Sequence, residues 1–246
     1  MADNKTTTYD ALLDFLESIR QTCIDKSLPL TFDDENFQAA YMCSLYSIVV
    51  ELAGDSCQGV KARKELASHV LTRALLEAVV DLLNVIKNPK YVDIRFQKAL
   101  IERRKKLVNL QQSDPKLISE AGHKAEYVED VIGKIDKLRD TDIDQPNIKQ
   151  RFKDAGMEGY YATAYALLCD YTHHDSSAII NRHIGLNVRP LDDKGILMLS
   201  DLIAELLLSA TIAVHDFLDS DQIEALKDLI TKWKTTYCQQ SATGGG

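Results

Sequence analysis

Residues 69–83 read HVLTRALLEAVVDLL. Val70, Leu71, Ala74, Leu75, Leu76, Ala78, Val79, Val80, Leu82 and Leu83 make this segment apolar nearly all round, which marks a buried helix, predicted from near Gly59 to Lys87. Such a helix needs neighbours on several sides. No segment of the chain shows sustained period-two alternation, and only Leu186 to Leu191 reads as extended, so those neighbours are helices too. The fold class is therefore all-α, a single helical bundle of about eight to ten helices over residues 8–239.

Proline punctuation sets the other elements. Pro29, Pro89, Pro115, Pro146 and Pro190 fall between long segments with helical spacing. Tyr9, Leu12, Leu13, Leu16, Ile19 and Cys23 place one apolar stripe on a first helix, predicted over Thr8 to Ile24. A second helix, capped by Asp33 or Asp34, is expected to stop at Gly54, and a fourth spans Tyr91 to Gln112. Asp114-Pro115 starts a charged fifth. A short helix follows Pro146 as far as Ala155. Tyr160, Tyr161, Tyr165 and Tyr171 then sit on a tyrosine-rich helix ending near His173. Ser176 or Ser177 caps a turn of helix through Asn181 to Gly185, and Asp192 or Asp193 opens a long apolar helix to Leu218. Asp219 to Asp221 cap the last helix. Residues 240–246, ending in three glycines, read as a flexible tail or an expression scar.

Composition narrows the function classes. With 45% hydrophobic and 27% charged residues, the chain is neither disordered nor collagenous, and five scattered cysteines without a CxxC pair suit reduced thiols. The polar N-terminus carries no secretory signal, so a cytoplasmic location is expected. The Ile196 to Leu218 segment holds Asp201 and Glu205, which speaks against a membrane span. A net charge of -8 argues against a protein that coats nucleic acid, and the basic run Arg103 to Lys106 reads as a solvated helix face.

The chemistry-bearing candidates are the polar residues of the buried helix. His69, Arg73, Glu77 and Asp81 recur every four residues, advancing only about 40° per step along one stripe. Arg73 can pair with Glu77, and both are expected to be substantially buried against another polar element. The natural partner is Asp170-Tyr171-Thr172-His173-His174-Asp175-Ser176-Ser177, where imidazoles offer acid-base chemistry near neutral pH. The candidate catalytic set is therefore Arg73, Glu77, Tyr171, His173 and His174. No metal and no cofactor is expected.

Arg73-x-x-x-Glu77 with a later Tyr-x-His turn resembles bacterial all-helical families allied to the HEPN domains of toxin and antiphage systems. That resemblance implies a helical, often dimeric, domain with an Arg-x4-6-His ribonuclease motif. Arg63-x5-His69 fits the spacing but lies too early in the chain, and the late His174 has Cys169 and Asp170 where the arginine and its polar neighbour stand. His174-Asp175 is similar to the doublet of HD metal phosphohydrolases, with only the dipeptide matching. Glu120-x-x-His123 mimics half of a carboxylate-bridged di-iron site and reads as exposed helix.

The leading expectation is a noncatalytic helical interaction module of a bacterial defence or toxin-type system. The alternative is a HEPN-like nuclease or nucleotide-acting enzyme using Arg73, Glu77 and His173 or His174, and a lesser one is an HD-type phosphohydrolase. Tyr160, Tyr161 and Tyr165 near Gly156 and Gly159, with the leucine-rich 196–218 segment, predict a symmetric homodimer. Nucleic acid, a nucleotide or another protein are the further partners considered, and no membrane.

Overall fold

A computed structural model describes residues 9–33, 35–112, 125–138, 146–172, 183–184, 187–188 and 190–243. The helices are α1 (Asp10–Ser27), α2 (Phe37–Lys61), α3 (Glu65–Lys87), α4 (Lys90–Gln111), α5 (Ala125–Leu138) and α6 (Ile148–Ala155). Next comes α7, one continuous rod made of Glu158–Tyr160, a π-helical turn over Tyr161–Tyr165, and Ala166–Thr172. The chain continues through α8 (Asp193–Phe217) and α9 (Ile223–Thr243). Counted this way, nine helices stand among the described residues, and the fold is all-α. The only strands among them are two-residue pieces, His183–Ile184 paired antiparallel with Asn187–Val188. His183–Ile184 is thus strand where the helical turn through Asn181 to Gly185 is expected, and the rest of that turn lies outside the described residues.

The sequence reading draws one domain over 8–239, and the chain divides into two compact units. The first joins residues 1–87 to 148–246, and the second is residues 88–147. In the second unit α4 and α5 are tied by Arg104, which makes two bonds to Asp136 of 2.6 and 3.2 Å, and by Gln97 donating to the Leu138 carbonyl. The expected start of the charged helix at Asp114-Pro115, and Glu120 and His123 with it, lie outside the described residues.

The first unit is built around α8. Ile196, Leu199, Ile203, Leu206, Leu207 and Ala210 are buried on it, and it packs against α1, α2, α3 and α9. By length and composition α8 could cross a membrane. Sixty-one per cent (61%) of its most apolar stretch is nonetheless buried inside the fold, as for a core helix. Its N-cap is Asp192, whose carboxylate accepts from the Gly195 amide at 2.7 Å.

Several boundaries differ from expectation for local reasons. Asn36, not Asp33 or Asp34, caps α2 by accepting from the Ala39 amide. Gly54 does not stop α2, because its backbone does not turn left-handed: the helix continues seven residues further to Lys61, with the Arg20 side chain 3.5 Å from where a Gly54 Cβ would stand. The stop comes at Arg63, in the left-handed region at φ 52°. Its carbonyl accepts from Leu191 N–H at 2.9 Å, and its guanidinium pairs with Asp193 at 2.9 Å, which clasps the α2–α3 turn to the start of α8. At the far end, α9 runs on to Thr243, beyond the expected start of a tail at residue 240.

Candidate functional site

The polar stripe of α3 faces α6 and α7, and its members meet partners on both. Asp81 Oδ1 accepts from Arg151 Nη2 at 2.6 Å and Nε at 3.1 Å, with both side chains below 10% exposure, at 7% and 9%. One turn on, Asn84 Nδ2 donates to the Arg151 carbonyl at 2.9 Å, so backbone and side chain of the same arginine are held by α3. Lys87 Nζ then donates to the Ala155 carbonyl at 2.6 Å, at the end of α6. Gly156 follows at φ 76°, where a Cβ would meet that ammonium at 3.0 Å.

Further up the stripe Arg73, Glu77 and Tyr165 close a triangle. Arg73 Nε donates to Glu77 Oε1 at 3.2 Å and its Nη2 to the Tyr165 hydroxyl at 3.1 Å, and that hydroxyl donates to Glu77 Oε1 at 3.2 Å. Burial raises the Tyr165 phenol above its ordinary pKa, against the opposing pull of Arg73, so the ring carries a neutral hydroxyl. The π-helical turn ends on Tyr165. Such turns add a residue to the helical repeat and re-aim the side chains that follow. Phe152 of α6 backs this turn, its ring centroid 5.4 Å from Tyr161 and 5.1 Å from Tyr165.

Two expectations need correction here. Arg73 and Glu77 are brought together, but their side chains are 20% and 32% exposed, so they form a half-buried pair. A pair so placed contributes about 0.3–0.5 kcal/mol, not the 3–5 of a broken buried pair. Tyr171 is also not their hydroxyl partner. It stacks on His69, with ring centroids 3.7 Å apart and planes 15° apart, one turn nearer the start of α3. The residues of this polar network that the sequence does not single out are Tyr165, assigned there to a dimer face, and Arg151. His173 and His174, with Asp175, Ser176 and Ser177, lie outside the described residues. The early Arg63-x5-His69 motif is divided between two roles, Arg63 at the α8 clasp and His69 donating from Nδ1 to the Glu65 carbonyl 2.7 Å away.

A family sequence profile matches residues 39–190, more than half of the chain. The chain belongs to DUF5677, a family of unknown function. The DUF5677 segment holds both sides of the polar stripe: Arg73, Glu77 and Asp81 on α3, and Arg151, Tyr165 and Tyr171 opposite them. Helices α1, α8 and α9 lie outside it. No curated protein and no solved structure matches the chain.

A second polar chain lies where α1, α2 and α8 meet. Ser27 Oγ is 3.0 Å from the Tyr46 hydroxyl and 3.2 Å from His215 Nε2. Tyr46 is in turn 3.0 Å from Thr211 Oγ1, and His215 Nδ1 is 2.9 Å from Ser220 Oγ. Burial lowers the His215 pKa, with Lys26 adding to the depression and Asp221 opposing it. An unfolded histidine titrates near 6.5, above the folded one, so the unfolded state takes up the proton first as the pH falls. The stabilising contribution is complete above about pH 6.5 and is lost as the pH drops through that value toward the folded pKa. The urea midpoint should therefore fall more between about pH 7.5 and about pH 5 than that of His215→Gln, which lacks this titration. Parallel pH profiles for the two proteins would contradict it.

Proposed function

We propose that this DUF5677 chain is a noncatalytic helical interaction module, working as a homodimer in a bacterial defence or toxin-type system. The observation that carries the reading is how the charged residues of the α3 stripe are bonded to α6 and α7 among the described residues. Asp81 is engaged by Arg151, and Arg73, Glu77 and Tyr165 bond one another. Groups bonded in this way fix the register of α6 and α7 on α3, which is a structural role. The dimer face proposed is the outer side of α7 and α8. There Leu167 and Met198, 39% and 37% exposed, border a groove of about 370 Å³ that Asp201, Glu205 and Tyr237 also line. Tyr160 donates to Glu205 at 2.9 Å beside it, which holds one rim in place.

Sedimentation equilibrium tests the assembly. The chain is expected to be a dimer, and Leu167→Asp with Met198→Asp is expected to give a folded monomer, since two carboxylates would be desolvated at the contact. A wild-type monomer at all concentrations would overturn the dimer.

One observation favours the second reading, a HEPN-like ribonuclease or nucleotide-acting enzyme. The stacking of Tyr171 on His69 brings the first residue of the Tyr-x-His turn against α3, within one helical turn of the solvent-reachable Arg73. In that reading His173 or His174 is the general base and Arg73 the phosphate partner.

A further inference from the structure

Ser27 and Tyr46, two members of that hydroxyl chain, form the floor of a cleft of about 390 Å³ between α1, α2 and α8, whose walls include Ile24, Leu28, Phe32 and Val50. Among the described residues, no charged side chain lines it. Its size is in the range of small-molecule sites, which are mostly apolar with a few polar groups that fix orientation. What those polar groups can recognise follows from where their protons are.

The direction of the chain is fixed at one end. Thr211 Oγ1 is 2.8 Å from the Leu207 carbonyl, which can only accept, so the Thr211 hydrogen is spent there. Tyr46 must then donate to Thr211, and Ser27 to Tyr46. With its hydrogen gone, Ser27 Oγ can only accept from His215 Nε2, which therefore carries the imidazole proton. His215 Nδ1 is left as an acceptor for the Ser220 hydroxyl. Ser220 is free to give its hydrogen, because its oxygen already accepts from the Gln222 amide at 3.2 Å. Every hydroxyl in the series thus has its hydrogen committed, and both ends agree. Ser47, also on the wall, gives its hydrogen to the Cys43 carbonyl at 3.1 Å. This direction disarms Ser27 and His215 as a nucleophile and base, since the nitrogen facing the serine is already protonated.

The floor of the cleft therefore presents lone pairs and no hydroxyl hydrogen. A ligand ending in a carbonyl or ether oxygen would set acceptor against acceptor there, whereas one ending in O–H completes the series. We propose that the cleft binds a neutral small molecule with an apolar body and a hydroxyl head, an alcohol or a phenol, with the head on Ser27 and Tyr46. A carboxylate or ammonium head would be desolvated against this apolar wall without a counter-charge among the described residues. The site goes beyond the interaction-module reading and shares no residue with the α3 stripe.

Calorimetric titration of the full chain with para-butylphenol and with its methyl ether tests this. The phenol is expected to bind about tenfold tighter, the effect of one well-made hydrogen bond. Val50→Trp, a part-exposed wall position, is expected to abolish binding of both. Tyr46→Phe removes the acceptor that holds the Ser27 hydrogen. That hydrogen then becomes available to an ether oxygen, and the preference should fall to about equal affinities. Circular dichroism checks that each variant is folded. Equal wild-type affinities, no binding of either compound, binding that survives Val50→Trp, or a tenfold preference that survives Tyr46→Phe would each overturn the proposal.

Discussion

Replacing Arg151 with alanine is expected to destabilise the fold by about 3–5 kcal/mol, the cost of breaking a buried ion pair from one side. Asp81 and Arg151 are the most buried ion pair among the described residues, and two guanidinium nitrogens converge on one carboxylate oxygen. Removing the arginine leaves the Asp81 carboxylate in a site that water barely reaches, without its guanidinium. The pair itself carries a desolvation penalty of several kcal/mol per ion, so replacing both with apolar residues, Asp81→Leu with Arg151→Met, is expected to recover most of the loss. Urea unfolding read from the fluorescence of Trp233, the only tryptophan and 1% exposed, measures all three proteins. A loss below about 1 kcal/mol for Arg151→Ala would show that the pair does not hold α6 on α3.

Phe152→Ala is expected to cost a similar about 3–5 kcal/mol by a different route. Its ring is fully buried, and the cavity left by its removal opens beneath Tyr161 and Tyr165, themselves stacked with centroids 5.6 Å apart. Those rings brace the π-helical turn that delivers the Tyr165 hydroxyl to Arg73 and Glu77. The variant should therefore also weaken the near-ultraviolet tyrosine dichroism before global unfolding begins. Phe152→Leu keeps most of the volume and should lose roughly half as much. An unfolding midpoint unchanged in Phe152→Ala would mean that α6 contributes little to the core.

The parts of this fold legible in the sequence are those governed by period and local chemistry. The all-round apolar pattern of α3 identifies it as buried, its four-residue polar spacing identifies a stripe that needs polar neighbours, and Asp192, one of the two caps expected, opens α8. What the sequence hides is which neighbours. Arg73 is only half-buried because the partner of the deepest charge is Arg151, and an eight-residue helix as polar as α6 gives no sign that its arginine points inward. Tyr165 was unassignable to the stripe because the π-helical turn shifts the register of α7, and a 3.6-residue period cannot anticipate the inserted residue. Gly54 misleads for a related reason: glycine marks a helix end only where the backbone turns left-handed, and here it marks the seat of Arg20. Ser27, Tyr46, Thr211 and His215 come from three helices far apart in the chain and carry no spacing signal at all.

The measurement that bears most directly on the noncatalytic reading is turnover. The purified chain is incubated with RNA and with nucleoside triphosphates, with and without divalent metal, beside a His173→Ala/His174→Ala variant matched for folding. The expected result is no product from either protein under any condition. Product formed by the wild type and lost in the double variant would contradict the reading and make the α3 stripe, with the Tyr-x-His turn, the active site of an enzyme.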